Sequence, residues 1–214
     1  MNAAQLKAIK IALKVIKHLK LEVGMSELGI AEQVHFLLAK FGAKSAFPII
    51  VGSGKNAMQP HCQPTHREIR ESEPIKIDFG ANVNGWRSDV TRTFVLGKVP
   101  AKLKKVIAIV KEAQKRAIAA VKPGARCCDV DHAARQYIHE QGFGRHFVHS
   151  TGHGIGLRVH QGPKIGTKNK RRLKAGMVIT IEPGIYIEKW GGVRIEDMVL
   201  VTKMGHKLLT SKLK

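Results

Sequence analysis

The stretch that decides the fold is IKIDFGANVNGWRSDVTRTF, residues 75–94. Two apolar runs rich in β-branched residues flank Asn84-Gly85, a dipeptide that favours the tight turn of a β-hairpin. Asp78 and Asp89 lie on the two arms, and we expect them to face each other across neighbouring strands. Buried carboxylates are costly unless they are paired or bind a cation. The hairpin therefore predicts two aspartates that share metal ions; the alternative is that Asp78 caps a turn and Asp89 is exposed.

Three further segments place metal-binding side chains in apolar or glycine-rich surroundings. They are HSTGHGIGL (149–157), ITIEPGIY (179–186) and GGVRIED (191–197). Glycines around His153 permit close backbone approach, and Glu182 ends a β-branched run. Glu196 follows Arg194 by two residues, which places both on one face of a strand. One imidazole among carboxylates suits Mn, Fe, Co or Zn better than Ca or Mg, so these residues predict a metal-dependent hydrolase.

Two other kinds of site are weaker interpretations. The glycines at 152–156 lack the spacing of a dinucleotide-binding loop, and residues 51–55 lack the spacing of a phosphate-binding P-loop. Cys62 follows His61 directly, but adjacent residues of a strand point to opposite faces, which disfavours a thiol dyad. The sequence therefore favours metal chemistry over nucleotide binding or a protein nucleophile.

The composition is that of a basic globular protein. The 214 residues contain 37 lysines and arginines and 16 acids, for a net charge of +21. A nucleic-acid surface is one interpretation. We favour the other, lysine-rich solvated faces, because the lysines are dispersed and aromatic residues make up only 5%. The densest basic cluster lies at 168–174.

The chain carries no sign of a membrane or secretory destination. No apolar run approaches the roughly 20 residues of a membrane span, and the lysine-rich N-terminus is not a signal peptide. The three cysteines are Cys62 and the adjacent Cys127 and Cys128, which make no disulfide framework. We therefore expect a cytoplasmic protein with neither membrane nor nucleic acid as a partner.

Helices and strands occur in the same order twice, which predicts an α+β fold. Glycines at 24 and 42 flank one predicted helix at a separation of 18, and glycines at 124 and 142 flank another at the same separation. An offset of about 100 residues predicts a duplicated unit rather than a solenoid. We expect one domain with halves at about 1–100 and 101–214 and a site between them. Helices are predicted at 3–20, 27–41, 103–122 and 127–140, and strands at 46–52, 75–80, 91–97, 177–184 and 192–201.

Five segments of the chain, taken in their order and spacing, resemble the pita-bread metallopeptidases of family M24, in the Xaa-Pro aminopeptidase and prolidase branch. The segments are IDFGA, SDVTRT, HSTGHGIGL, ITIEPGIY and GGVRIED. The resemblance covers nearly the whole chain, including GKNAMQPH (54–61). It implies a pita-bread fold, in which a curved antiparallel sheet with pseudo-two-fold duplication is flanked by helices. It also implies that residues 1–214 form a single catalytic domain. Because the chain begins at the first helix of that domain, we expect no N-terminal accessory domain.

The resemblance also implies the role of each site residue. The metal ligands would be Asp78, Asp89, His153, Glu182 and Glu196. The residues that bind peptide and transfer protons would be His61, His149, His160, Arg194 and again Glu182. Two divalent ions would be bound, manganese foremost, with cobalt, zinc or iron as alternatives.

The activity implied by the resemblance is hydrolysis of the peptide bond before proline by a hydroxide that bridges the two metals. The substrates would be peptides with proline at the second position, and a homodimer is a further expectation. A methionine-aminopeptidase-like or other aminopeptidase specificity is one alternative. The second is a non-catalytic pita-bread module that binds peptides or nucleic acid.

Overall fold

The computed structural model describes residues 1–210, and in it two helix pairs are each followed by antiparallel strands. Asn2 and Ser26 begin the first two helices as N-caps, because their side-chain oxygens accept hydrogen bonds from the first-turn amides of Ala4 and Gly29. All four predicted helices are confirmed, with ends shifted by at most a few residues. They are α1 (Ala3–His18), α2 (Glu27–Lys40), α3 (Ala101–Ala119) and α4 (Cys127–Glu140).

The first half contributes six strands to two antiparallel sheets, ordered β2-β3-β6 and β1-β4-β5. The strand predicted at 46–52 begins only at Ile50, since Pro48 cannot donate a hydrogen bond to a neighbouring strand. The strands are β1 (Lys44–Ser45), β2 (Ile50–Ser53), β3 (Ile75–Phe79), β4 (Ala81–Val83), β5 (Trp86–Arg87) and β6 (Val90–Phe94).

The hairpin at 75–94 forms with the predicted turn, and Asn84 and Gly85 have φ values of 50° and 83°. The expectation that the two aspartates face each other directly is wrong, however. Asp78 pairs with Thr91, and Asp89 precedes β6 by one residue. The two carboxylates therefore lie diagonally across the ribbon and still line one cavity.

The second half forms a five-stranded sheet, β13-β12-β9-β7-β8, and the separate pair β10-β11. The single strand predicted at 192–201 is wrong, because the chain leaves one sheet and enters another at Ile195-Glu196. The strands are β7 (Gly152–Gly154), β8 (Gln161–Ile165), β9 (Val178–Ile181), β10 (Gly184–Ile187), β11 (Gly191–Arg194), β12 (Asp197–Val201) and β13 (His206–Leu208).

Each half has its own hydrophobic core, built from one helix pair and the strands of the same half. The glycines after the corresponding helices adopt matching left-handed conformations, with φ of 81° at Gly42 and 83° at Gly142. A small third cluster that includes Ile9, Ile155 and Met198 joins the halves. Within residues 1–210, no helix is long and apolar enough to cross a membrane.

Candidate metal centre

The five predicted metal ligands all line one cavity of about 350 Å³ between the two halves. Three of them, Asp89, His153 and Glu196, are buried and offer ligand atoms that lie within 4.8 Å of one another. The ligands lie on different elements: Asp78 on β3, Asp89 just before β6, His153 on β7, Glu182 just after β9, and Glu196 between β11 and β12. The structure thus brings together acids separated by more than 100 positions in the chain.

The carboxylates of this cavity repel one another. Burial raises the pKa of both Asp89 and Glu196 well above the ordinary value, and the charges of neighbouring carboxylates raise it further. Arg194 lowers both pKa values, but it is a single cation among four acids. The described protein groups therefore do not compensate the negative charge that these carboxylates carry when all of them are ionised.

His153 lies where it can partly offset that charge. Its Nε2 is 3.2 Å from Glu182 Oε1 and 3.7 Å from Asp89 Oδ2. Although burial by itself lowers the pKa of His153, the hydrogen bond and charge of Glu182 raise it overall. Burial likewise acts to raise the pKa of Glu182, but the hydrogen bond and charge of His153 lower it to about 2. A protonated His153 therefore places a positive charge among the carboxylates, at a position where a metal cation would also be stabilised.

Two carboxylate oxygens of the site lack a hydrogen-bond partner within residues 1–210. Asp78 Oδ1 and Glu196 Oε1 are buried and have no hydrogen-bond partner among the described residues. The other oxygen of each is held, since Arg194 Nη2 donates to Asp78 Oδ2 at 2.5 Å and Thr91 Oγ1 donates to Glu196 Oε2 at 2.7 Å. Buried polar atoms are normally paired, so two unpaired carboxylate oxygens fit metal ions as their partners.

The histidine is also oriented as a ligand. His153 Nδ1 lies 3.1 Å from the carbonyl oxygen of Gly154, which can only accept, so Nδ1 carries the proton. Nε2 is thereby left facing the carboxylates. A backbone carbonyl that fixes the ring and tautomer is the usual support of a metal-binding histidine. With four carboxylates, this donor set fits divalent metal ions.

Arg194 connects the first and second halves of the site. It is 2% exposed, and its Nε donates to Thr91 Oγ1 at 3.1 Å while its Nη1 donates to Tyr186 Oη at 2.8 Å. The prediction that Arg194 and Glu196 share one strand face is wrong because β11 ends at Arg194. Both side chains instead meet at Thr91, which orders one ligand through its hydroxyl.

A second cavity of about 430 Å³ adjoins the first and is lined by His61, His149 and His160. His61 and His160 line both cavities, so the two form one cleft. The rings of His160 and His153 meet edge-on with their centroids 4.4 Å apart. Within residues 1–210, the rings of His61 and His160 make no hydrogen bond, and both residues are exposed. They are therefore available to a ligand in the cleft.

His149 differs because both of its ring nitrogens are engaged. Nδ1 donates to the Ser150 carbonyl at 2.8 Å, so Nε2 accepts from the Tyr186 hydroxyl at 2.8 Å. Tyr186 in turn accepts from Arg194. Burial lowers the pKa of His149 and raises the pKa of Tyr186 to about 12, so both are neutral near pH 7. Arg194, Tyr186 and His149 thus form a directed hydrogen-bond chain.

Sequence reasoning missed Tyr186 and Thr91 as members of the site. Both lie within segments that the sequence marked, ITIEPGIY and SDVTRT. A signal for Tyr186 existed, since a tyrosine in a buried strand needs a partner for its hydroxyl group. No local signal identifies Thr91, because its partners lie more than 100 residues away.

The model of metallopeptidase family M24 matches residues 3–203. The chain belongs to this family. Among curated relatives of this M24 chain, the Xaa-Pro dipeptidase of Pyrococcus furiosus is 45% identical over 207 residues, which are 95% of this chain and 60% of that protein.

Solved structures superpose closely on this M24 chain. The prolidase from Pyrococcus furiosus matches with a TM-score of 0.96 at 43% identity, covering 99% of this chain and 64% of that one. The X-Pro aminopeptidase from Thermotoga maritima matches with a TM-score of 0.95 at 37% identity, covering 98% and 60%. The predicted pita-bread fold is confirmed. The chain spans about 60% of the length of the curated relatives it matches.

Proposed function

We propose that this M24 chain binds two divalent metal ions and hydrolyses the peptide bond that precedes proline, as an Xaa-Pro dipeptidase or aminopeptidase. The observation that carries the proposal is the convergence of five ligand residues on one cavity with two unpaired, buried carboxylate oxygens. Similarity to proteins named Xaa-Pro dipeptidase, prolidase and X-Pro aminopeptidase supports the choice of bond.

The proposed ligands bring four negative charges, of which Arg194 offsets one through Asp78. Two divalent ions would therefore leave one positive charge, which a hydroxide can balance. Manganese is the ion we favour, with cobalt, zinc or iron as alternatives, because a single imidazole accompanies carboxylate oxygens. The chemistry that such ions supply when bound is a lowered pKa of a shared water and polarisation of the substrate carbonyl. The proposed ligands are Asp78, Asp89, His153, Glu182 and Glu196.

Glu182 is the carboxylate we propose as proton acceptor. Its side chain is 17% exposed, against 6% for Asp89 and 11% for Asp78, so it is the most open of the three to the cleft. Thr180 Oγ1 donates to Glu182 Oε1 at 3.1 Å and holds that oxygen near His153. The exposed part of the carboxylate can then receive a proton from the attacking water.

We propose a different role in peptide binding for each histidine of the cleft. The rings of His61 and His160 make no hydrogen bond within residues 1–210, so an N–H group of each can donate to the carbonyl oxygen of the substrate. His149 is already bonded on both sides. We therefore propose His61 as the donor to the developing oxyanion, with His149 holding Tyr186 and Arg194 in place. His160 contacts the peptide beside the metal ligand His153.

Assays on the metal-loaded protein test this proposal. After dialysis and addition of Mn²⁺, we expect turnover of Ala-Pro and Met-Pro and of longer Ala-Pro peptides, and little turnover of Ala-Ala or Met-Ala. Preference for Met-Ala would support methionine-aminopeptidase specificity instead. Metal binding without cleavage of any of these peptides would support a peptide-binding module.

Two wider predictions concern the setting of the protein. We propose a reducing, cytoplasmic location, in keeping with the three free cysteines at positions 62, 127 and 128. The homodimer stays a prediction, and light scattering of the purified protein during size-exclusion chromatography tests it.

A further inference from the structure

Lys76 carries a buried amino group that the proposed chemistry does not use. It lies on β3, two residues before Asp78, so both side chains project from the same face of the strand. The residue is 0% exposed. Within residues 1–210 its Nζ forms no ion pair with a carboxylate. A buried polar group without an acidic partner requires other hydrogen-bond partners.

The hydrogen-bond acceptors that Nζ of Lys76 contacts in the backbone belong to one short segment, residues 57–60. Nζ donates to the carbonyl oxygens of Ala57 at 3.3 Å and Pro60 at 3.2 Å, and also to that of Gln59. The Tyr186 ring lies on another side, with its centroid 5.2 Å from Nζ. Lys76 thus binds three of the four backbone carbonyl oxygens of this segment.

Gly52 makes room for this arrangement. It pairs with Lys76 across β2 and β3, so a side chain at either position projects to the same face. A Cβ atom on Gly52 would lie 2.4 Å from Cys62 Sγ and 3.1 Å from the Asn56 carbonyl oxygen. The missing side chain lets the segment that carries Cys62 pack directly against the sheet, within reach of Lys76.

The segment matters because His61 follows it directly. His61 lines both cavities of the cleft, and its ring makes no hydrogen bond within the described residues. Its location is therefore set by its backbone. Arg194 Nη1 donates to the Pro60 carbonyl at 3.0 Å, so Lys76 and Arg194 hold the same residue. The two side chains thereby tie the backbone next to His61 to two strands, β3, which also carries Asp78, and β11.

We propose that Lys76 is a positioning residue that fixes residues 57–60 and so holds His61 in the cleft. That His61 contacts substrate rests on the proposed function. Lys76 itself touches neither substrate nor metal. Replacing the Lys76 side chain is expected to weaken the stabilisation of the oxyanion by His61 and so to lower kcat, while the metal ligands stay in place.

The test compares Lys76→Met with Lys76→Arg, which keeps a donor. In Lys76→Met we expect faster hydrogen exchange at residues 57–62 and an unchanged metal content. We also expect kcat to fall by about 10- to 100-fold, since small displacements of a catalytic group cost that much, with a smaller change in KM. Lys76→Arg should restore part of the activity. In a His61→Ala background, adding Lys76→Met should change kcat less than about twofold, because the two act as a unit.

Val110→Ala is the matched control, because Val110 is buried on α3 in the core of the other half. It should lower thermal stability and still leave exchange at residues 57–62 unchanged. Should Lys76→Met not fold, Lys76→Gln takes its place. Unchanged exchange at 57–62, or an equal loss of kcat with and without His61, overturns the inference. Failure of the wild-type protein to cleave Xaa-Pro peptides would overturn the proposed function instead, and the exchange data would still decide the role of Lys76.

Discussion

Two buried acidic clusters of the molecule are built in opposite ways. Glu27, at the start of α2, is fully buried, and both of its oxygens are paired. Oε1 accepts from the Ser53 amide and hydroxyl at 2.7 Å each, and Oε2 accepts from the Thr65 amide at 3.1 Å and hydroxyl at 2.6 Å. In the metal centre, Asp78 and Glu196 each keep one unpaired oxygen. The difference separates a carboxylate that holds the chain together from the carboxylates that we propose as metal ligands.

The second half repeats the structural arrangement with a different residue. Asp131 on α4 is 0% exposed and accepts from Arg135 Nε at 2.8 Å and from the Thr151 hydroxyl at 2.8 Å. Thr151 precedes the metal-site strand β7 by one residue. Each half therefore uses a fully paired acid on its second helix to anchor its strands. Among the residues described, the buried carboxylate oxygens without a partner lie only where the halves meet.

The largest effect should come from removing a ligand. Asp89→Ala and Glu196→Ala should lose at least one metal ion and lower kcat/KM by more than about 10³-fold, because metal-ion catalysis supplies several kcal/mol. Glu27→Gln is the control with a buried acid outside the site, and it should keep both metals and most of the activity at temperatures where it is folded. Full activity of Glu196→Ala would remove the distinction between the clusters.

A smaller effect is expected for a residue beside the ligands. His149→Ala should retain both metals, because the ring bonds Tyr186 and Ser150 rather than a carboxylate ligand. We expect kcat to fall by about 10²-fold, because loss of the ring releases Tyr186 and Arg194, and small displacements in a catalytic arrangement cost about that much. Parallel metal analysis and kinetics check this. Loss of metal from His149→Ala would make His149 a ligand and would extend the metal centre beyond the five residues.

Substitutions in the two clusters should also change the stability of the metal-free protein in opposite directions. Because burial and neighbouring acids raise the pKa of Asp89, protonation stabilises the folded state at low pH, and this stability is lost as the pH rises through the raised value. Asp89→Asn should therefore raise the melting temperature of chelator-treated protein at about pH 8 more than at about pH 6.

Glu27→Gln should instead lower the stability at both pH values by roughly 2–4 kcal/mol, since hydrogen bonds to a buried charged group are lost. Thermal unfolding in chelator, with wild type alongside, measures both variants. Destabilisation by Asp89→Asn of the same size as by Glu27→Gln would show that the metal-site acids are structural after all.

The smallest effect is expected from the charge outside both clusters. If the +21 net charge is a set of solvated faces, raising salt from about 50 to about 200 mM should change kcat/KM for neutral Xaa-Pro peptides less than about twofold, because exposed charges are screened. Filter binding with RNA and DNA over the same range gives the second readout. Tight binding at the higher salt would contradict the prediction, and replacing Arg171 and Arg172 by Ser would then test the basic loop.

Local patterns predicted most of the fold. Ser26 and the glycines after α2 and α4 mark helix ends through their own chemistry, so the bounds of α2 and α4 follow from the sequence. The five candidate ligands could also be found, because acids in β-branched or glycine-rich segments conflict with their local setting.

The remainder depends on contacts that no local pattern contains. The break at Glu196 follows from two sheets meeting at the cavity, whereas GVRIEDMVLV reads as one continuous strand. Lys76 alternates with apolar residues in IKIDF and reads as a solvent-facing position, yet the segment at 57–60 covers it. The hydrogen bonds that link Arg194, Tyr186 and His149 connect β11, β10 and a loop, and only the tertiary fold brings these elements together.

The number of bound metal ions tests the central claim most directly. Wild type, Glu27→Gln and Glu196→Gln are loaded with Mn²⁺, dialysed and measured by mass spectrometry of the metal against protein concentration. The account predicts two ions per chain in wild type and in Glu27→Gln, and fewer than two in Glu196→Gln. A wild-type protein that holds one ion or none, or a Glu27→Gln variant that loses metal as Glu196→Gln does, would contradict it.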